Sequence, residues 1–254
     1  MKKFELTTEQ KINWFGHTLY RIKACISFTT TNGLEVNEGD LGGWVEKESN
    51  LSHIGKAWVC GDAKVWGNAE VWGNAEVCGN AKVWGNAEVC GDAKVCGNAE
   101  VCGDAEVWGN AEVCGNAKVW GNAKVCGNAK VCGDANLFST EHILCVTPIG
   151  EYANSLTLFR TKKCEIKVSF ELEIYDLEEF KEIVADWDDT KQREVALAAL
   201  ELGQKHIDLT PTKKPNFKDC PFCNGKAEYN VDSDVVVCSE CGASADKKFW
   251  NNRV

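Results

Sequence analysis

Four cysteines near the C-terminus have the spacing of a metal site. Two Cys-x-x-Cys pairs, Cys220 with Cys223 and Cys238 with Cys241, are separated by fourteen residues. Thiolates in two such pairs are common ligands of a tetrahedral structural zinc ion, and four protein ligands leave no open position for catalysis. The sequence therefore predicts one structural Zn²⁺ in residues 218–254, a module too small to fold without the metal.

Residues suited to catalysis are sparse elsewhere. The chain has four histidines, His17, His53, His142 and His206, and none falls between 53 and 142. A phosphate-binding glycine loop, a nucleophile elbow and a metal-hydrolase motif are also missing from the sequence. We therefore expect a protein that is not an enzyme.

A hexapeptide repeat makes up the centre of the chain. Residues 59–136 contain thirteen uninterrupted copies of Val-(Cys/Trp)-Gly-(Asn/Asp)-Ala-(Lys/Glu), with Asn in the last position of the final copy. The segment Ala-(Lys/Glu)-Val-(Cys/Trp) alternates as a short strand does, so Ala and Val should point inward. Gly followed by Asn or Asp tolerates the positive φ of a tight corner. The repeat predicts a coil that turns every six residues.

This repeat resembles the hexapeptide-repeat family, whose fold is a left-handed parallel β-helix with three hexads per coil. The resemblance implies that each strand pairs with the strand eighteen residues later. Many members of the family are trimeric acyltransferases that use acyl-CoA and a histidine on a loop leaving the helix. Because the thirteen hexads contain neither a loop nor a histidine, a relative of the acyltransferases is only an alternative.

Stacking eighteen residues apart would give the helix three outer faces, each with a Cys/Trp column and a charged column. The first face would carry the cysteine column Cys60, Cys78, Cys96, Cys114 and Cys132 beside Trp58, Glu76, Lys94, Glu112 and Lys130. The second would carry Trp66, Trp84, Cys102 and Trp120 beside Lys64, Lys82, Glu100 and Lys118. The third would carry Trp72, Cys90, Trp108 and Cys126 beside Glu70, Glu88, Glu106 and Lys124.

The second face is a candidate binding site for an anionic aromatic ligand such as a nucleotide. Lysines would supply charge and tryptophans would stack on the base. The candidate ligand-binding residues are Lys64, Trp66, Lys82, Trp84, Lys118 and Trp120. The same columns are also expected if the repeats simply duplicated and the charges form a solvated surface.

The flanking segments predict additional domains. Residues 1–58 should form an N-terminal β cap, with a strand at 19–28, a turn at 37–40 and a degenerate hexad at 53–58. Residues 137–208 should form a small α+β domain that caps the other end. Its expected elements are strands at 143–146, 156–160 and 165–174 and helices at 177–185 and 190–202. Asp176 and Glu179 form a capping box, and Gly203 is the expected C′ residue.

A linker at 209–217 contains Pro211 and Pro215 and precedes the zinc module. From Asp219 onward the chain resembles the zinc ribbon of restriction-alleviation (Lar-type) phage proteins, in Cys-Pro-Phe-Cys, in Val-Val-Cys-Ser-Glu-Cys-Gly-Ala-Ser and in Trp-Asn-Asn-Arg. Leu-Gly-Gly-Trp-Val followed by hexapeptides also resembles a class of phage and prophage proteins. The resemblance implies an accessory protein of counter-defence.

Composition sets the remaining expectations. The formal net charge of −10 argues against a generally basic nucleic-acid binder, although it leaves nucleic acid open as a partner. No apolar run approaches the ~20 residues of a membrane span, and the start lacks a signal-peptide core. We expect a phage-encoded protein of the host bacterial cytosol, a homotrimer by preference, that binds a host protein or sequesters a nucleotide signal.

Overall fold

The computed structural model describes residues 2–150, 154–171 and 173–211, together with the backbone of three C-terminal strands. Contacts divide the chain into two units, Met1–Leu209 and Thr210–Val254. The second unit contains a three-stranded antiparallel sheet in the order β24-β25-β26. Its strands are β24 (Ala227–Asn230), β25 (Val235–Cys238) and β26 (Ser244–Asp246).

The repeat forms a parallel β-helix of about 5 turns, as the sequence predicts. Fourteen two-residue strands span the junctions between consecutive hexads and the two ends of the repeat. These strands are β6 to β19: Trp58–Val59, Lys64–Val65, Glu70–Val71, Glu76–Val77, Lys82–Val83, Glu88–Val89, Lys94–Val95, Glu100–Val101, Glu106–Val107, Glu112–Val113, Lys118–Val119, Lys124–Val125, Lys130–Val131 and Asn136–Leu137. Every pairing joins residues eighteen apart, for example Val83 with Val101. The predicted register is therefore confirmed, whereas the left hand of the helix stays a prediction.

The interior and the corners follow from the residue types of one hexad. The Val and Ala side chains of the coils fill the interior, and Val83 and Ala87 are both 0% exposed. Corner glycines have the predicted positive φ, which is 76° at Gly85. A Cβ on Gly85 would also lie 2.9 Å from the backbone nitrogen of Gly103, so stacking itself excludes a side chain here. Glycine thus serves both the turn and the close approach of coils.

The Asn and Asp residues after the corner glycines do more than tolerate the turn. Their side chains hydrogen-bond to those of the next coil, so that Asn68 donates to Asn86 at 3.2 Å and Asn86 donates to Asp104 at 2.9 Å. These bonds form an amide ladder along the corner. The ladder satisfies polar groups that would otherwise compete with the backbone for hydrogen bonds.

The N-terminal cap continues one sheet of the helix. Its strands are β1 (Phe4–Ile12), β2 (Thr18–Ala24), β3 (Phe28–Thr29), β4 (Glu35–Val36) and β5 (Leu41–Val45), with a 3-10 helix at Glu48–Asn50. Strand β5 pairs in parallel with β7, and β1 and β2 extend the sheet in antiparallel fashion. Phe4 and Ile22 of the cap share one core with the valines of the first coils. The predicted strand 19–28 ends earlier, at Ala24.

Lys3 covers the outer edge of the first coil. The Lys3 side chain is buried, and its Nζ donates to the carbonyl oxygens of Ala57 at 2.6 Å and Gly55 at 3.3 Å. Burial lowers the pKa of Lys3 to about 8. A lysine thus satisfies edge carbonyls that have no further coil to pair with.

The C-terminal cap is a four-stranded antiparallel sheet with two helices. Its elements are β20 (Ile143–Ile149), β21 (Asn154–Arg160), β22 (Ile166–Phe170), β23 (Glu173–Asp176), α1 (Leu177–Ala185) and α2 (Thr190–His206). The capping box of Asp176 and Glu179 is present. Phe159 of β21 packs into the helix core, so the domain closes the last coil as predicted. No helix in the described part of the chain is long and apolar enough to cross a membrane.

Two predicted boundaries in this cap are wrong. The expected strand 165–174 is two strands, because Glu171 adopts a positive φ of 56° and turns the chain between β22 and β23. Gly203 does not end α2 but lies inside it, where a Cβ would collide with the side chain of Leu158. Glycine at 203 therefore permits close helix-to-sheet packing.

Candidate binding faces of the β-helix

The β-helix has three sheets, and each sheet forms one outer face. On each face, residues eighteen apart are aligned in the columns that the sequence predicts. The first face lies on β6, β9, β12, β15 and β18, the second on β7, β10, β13, β16 and β19, and the third on β8, β11, β14 and β17. Neighbouring strands of a parallel sheet lie about 4.8 Å apart, which sets the spacing of side chains along each column. The columns differ most in how the caps cover them.

The second face is sealed at its N-terminal end. Trp66 is 3% exposed and stacks on Trp84 with ring centroids 5.0 Å apart and an angle of 1° between the rings. Phe15 stacks on Trp66 from outside the repeat, at 6.1 Å. Leu19 and Trp44 of the cap complete the same apolar cluster. Trp66 is therefore part of a core, and its ring is covered by protein.

The C-terminal end of the second face is also covered. Trp120 packs on Phe138 at 4.9 Å, and Phe138 meets the edge of the His142 ring at 3.9 Å. His142 is buried, and its Nδ1 accepts a hydrogen bond from the Phe138 backbone nitrogen at 3.1 Å. Burial, followed by the charge of Arg160, lowers the pKa of His142 to about 4. The histidine is therefore a neutral structural residue.

The lysines of the second face are close to an acidic residue of the same column. Glu100 lies between Lys82 and Lys118 and pairs with both, at 2.8 Å and 3.1 Å. The predicted set of six residues is thus brought onto one face, with Trp66 covered and two lysines in ion pairs. Binding of a nucleotide by Lys64, Trp66, Lys82, Trp84, Lys118 and Trp120 stays a prediction.

The third face is open. Trp72 and Trp108 are 43% and 42% exposed. With Cys90 between them and Glu88 and Glu106 beside them, they line a surface cavity of about 360 Å³. Strands β8, β11 and β14 place Glu70, Glu88 and Glu106 in direct register, so like charges are adjacent.

The sequence predicts the columns of the third face, but its candidate ligand-binding residues lie on the second, and it does not single out this cavity. The available signal was the alternation of Trp and Cys along a column flanked by successive glutamates. Cysteine is much smaller than tryptophan, so a Trp-Cys-Trp column leaves the space of one indole ring open. Its two tryptophans are two coils apart, or roughly 10 Å along the column.

The first face carries a continuous column of thiols. Neighbouring thiols of this column interact in order along the face. These interactions lower the pKa of Cys60, Cys96 and Cys132 and raise the pKa of Cys78 and Cys114. The thiols of this column therefore do not titrate independently of one another.

Comparison with known proteins adds no relative to this picture. No protein-family model matches the chain, and a search of curated proteins finds no similar sequence. The predicted zinc ligands Cys220, Cys223 and Cys241 lie outside the described residues, and only the backbone of Cys238 is described, at the end of β25. The zinc ribbon and its resemblance to phage proteins therefore stay predictions.

Proposed function

We propose that this chain is a non-enzymatic binding protein. Its third face contacts a protein partner and binds basic side chains of that partner. The observation that carries the proposal is the cavity between Trp72 and Trp108, two half-exposed indole rings on a regular strand face without loops. Tryptophan is enriched in protein contact surfaces relative to the rest of the protein surface, and here two indole rings border one cavity.

The charges around the cavity favour a cationic group. Glu88 and Glu106 line the cavity, and Glu70 lies next in the column. A guanidinium or ammonium group is attracted both by the face of an indole ring and by a carboxylate. Of the nearby lysines, Lys124 pairs with Glu106 at 2.9 Å, which still leaves the column acidic. An arginine or lysine of the partner therefore fits this surface.

The positions of the histidines support a protein without catalysis. His17 pairs with Glu46 at 2.7 Å and His53 pairs with Glu48 at 2.7 Å, both within the N-terminal cap. His142 is buried in the other cap, and His206 ends α2. His53 shares a surface cavity with Glu70 and Trp72 of the third face, but its Nε2 is paired with Glu48. His142 is buried against Phe138 at the end of the second face, so neither ring is positioned as a free catalytic base.

The biological setting of this proposal depends on sequence resemblance. We propose a phage-encoded accessory protein of the host cytosol, in counter-defence, with a C-terminal zinc ribbon as a second interaction module. A homotrimer in which the second face of one copy meets the third face of the next would use the same charges. A second copy of the chain is the alternative partner, and native mass spectrometry of the variants below distinguishes it.

The experiment measures binding of a fluorescein-labelled Arg-Gly-Arg-Gly-Arg peptide by fluorescence anisotropy at physiological salt. We expect the double variant Trp72→Ala/Trp108→Ala to weaken the Kd at least tenfold, which corresponds to about 1.4 kcal/mol. The matched control is Trp14→Ala, which removes a tryptophan that is 96% exposed in the cap. Glu88→Gln should also weaken binding more than Glu182→Gln, which removes an equal charge from α1.

Equal losses in the two tryptophan variants would mean that binding does not depend on the third face, and equal losses in Glu88→Gln and Glu182→Gln would mean that the peptide responds only to net charge. Either result would overturn the proposal. Native mass spectrometry of the same variants tests the second-copy alternative. If Trp72→Ala/Trp108→Ala converts an oligomer to monomers, the partner is another copy of this chain. Binding of a labelled nucleotide that is lost in Lys82→Glu would instead support the second face.

A further inference from the structure

A mixed cluster of two thiols and a carboxylate lies at the N-terminal end of the first face. The Sγ atoms of Cys60 and Cys78 and a carboxylate oxygen of Glu76 all lie within 4.8 Å of one another. The repeat explains why they meet. Glu76 and Cys78 flank Val77 and so point to the same outer side of β9. Cys60 follows Val59, the partner of Val77 in the preceding coil.

Glu76 differs from the other charged residues of the repeat because it is buried. Its exposure is 5%, whereas Lys94 and Glu112, further along the same column, are only half-buried. The β3–β4 hairpin of the cap covers Glu76. Thr30 Oγ1 donates to Glu76 Oε2 at 3.1 Å, and Asn32 Nδ2 donates to the same oxygen at 3.4 Å. These bonds fix the carboxylate without engaging Oε1.

A buried carboxylate next to thiolates is unfavourable unless a cation compensates their negative charges. Lys94 is in direct register with Glu76 on the adjacent strand and compensates one negative charge, whereas two thiolates and a carboxylate together carry three. Thiolate sulfur and carboxylate oxygen are both ligands of zinc, and sulfur favours thiophilic cations over magnesium or calcium.

We propose that Cys60, Cys78 and Glu76 form a second metal site, for a thiophilic divalent cation such as Zn²⁺. Three protein ligands leave one tetrahedral position, which water or a ligand at the surface would fill. Binding displaces the protons of Cys60 and Cys78 to solvent, so affinity should rise with pH. Its three ligands all belong to the repeat and are different residues from the four C-terminal cysteines.

The test uses the full-length reduced protein with Cd²⁺ as the probe. The bound equivalents are counted by native mass spectrometry, and ¹¹³Cd NMR reports the ligand set of each ion. We expect Glu76→Gln to remove or shift one ¹¹³Cd signal and to weaken that site at least tenfold, while both thiols remain. Gln can still accept the hydrogen bond from Thr30, so the cap should stay folded.

The second variant, Cys60→Ser/Cys78→Ser, should bind one equivalent less than the wild type. Its matched control is Cys90→Ser/Cys126→Ser, which removes two thiols from the same repeat position on the third face, where each lies between or beside tryptophans. Cadmium on the C-terminal cysteines is common to all variants and cancels in the difference. Equal cadmium counts in the wild type and the thiol double variant would overturn the proposal, as would an unchanged ¹¹³Cd spectrum in Glu76→Gln.

Discussion

The second and third faces place tryptophan at the same position of the same hexapeptide, yet Trp66 is core and Trp72 is surface. Trp66 is 3% exposed and Trp72 is 43% exposed, although one hexad separates them in the chain. The repeat alone therefore does not decide whether its variable residue stabilises the fold or remains available for a partner. Coverage by the caps decides it.

The strand order explains the difference in coverage. The second face belongs to an eight-stranded sheet that the cap strands β1, β2 and β5 continue beyond the repeat. Their side chains lie over Trp66. The third-face sheet consists of four repeat strands, and among the described residues a single isolated bridge, between Leu51 and Val71, extends it toward the cap. Trp66 is therefore buried under a sheet that continues into the cap, and Trp72 stays half-exposed on a sheet that does not.

The largest difference between the faces should appear in stability. Trp66→Ala removes a buried ring that stacks on Trp84, so we expect a loss of about 3–5 kcal/mol in the free energy of unfolding. Trp72→Ala removes a half-exposed ring, and its cost should stay within about 1 kcal/mol. Equilibrium unfolding in urea, followed by circular dichroism, measures both. Similar losses for the two variants would contradict the distinction between a sealed and an open face.

The C-terminal seal of the second face should make stability depend on pH. The pKa of His142 is about 4 in the fold and near 6.5 when unfolded, so the unfolded chain binds the extra proton between these values. The contribution of His142 is therefore complete above about pH 6.5 and is lost as the pH falls toward 4, by roughly 2–3 kcal/mol. The pH dependence of the melting temperature between 6.5 and 5 measures the effect.

His142→Gln keeps an acceptor for the Phe138 nitrogen but cannot titrate, so its melting temperature should change less over this pH range. His206→Gln, at the exposed end of α2, is the control and should keep the wild-type slope. A wild-type slope in His142→Gln would mean that the seal does not depend on a neutral histidine.

The smallest effects concern the charged columns, and here the two faces should differ in sign. Glu100 pairs with Lys82 and Lys118, so Glu100→Gln should destabilise the chain by about 0.5 kcal/mol. Glu88 lies between two other glutamates, so Glu88→Gln should stabilise it by a few tenths, on the order of 0.3 kcal/mol. Both differences should shrink in 1 M salt, where exposed charges are screened. A common sign would contradict the difference between the columns.

The periodic part of the fold could be predicted from one hexad because every step of the argument is local. Inward Val and Ala, the positive φ of Gly and the pairing eighteen residues apart all follow from residue types and period. The end of α2 near Gly203 and the break between β22 and β23 at Glu171 could not be predicted in this way. Gly203 looks like a helix terminus, but the nearby Leu158 requires it inside α2, and that contact is distant in sequence.

The candidate site was harder to predict for the same reason. The columns themselves follow from the register, and the sequence places the lysines and tryptophans of the second face together. Which face the caps cover depends on contacts such as that between Phe15 and Trp66, which no repeat pattern contains. The burial of Glu76 likewise depends on its contact with Thr30, which lies in the cap and belongs to no recognisable sequence motif.

Because strands pair eighteen residues apart, the helix restricts how this chain can lengthen or shorten during evolution. Insertion of three hexads would add one coil. The distance between the caps would increase by about 4.8 Å, and every side chain would stay on its face. Insertion of a single hexad would carry the C-terminal cap to a neighbouring face, uncovering Trp120 and covering another column. Tolerated length changes should therefore come in units of eighteen residues, so the length of the helix should vary in steps of one whole coil.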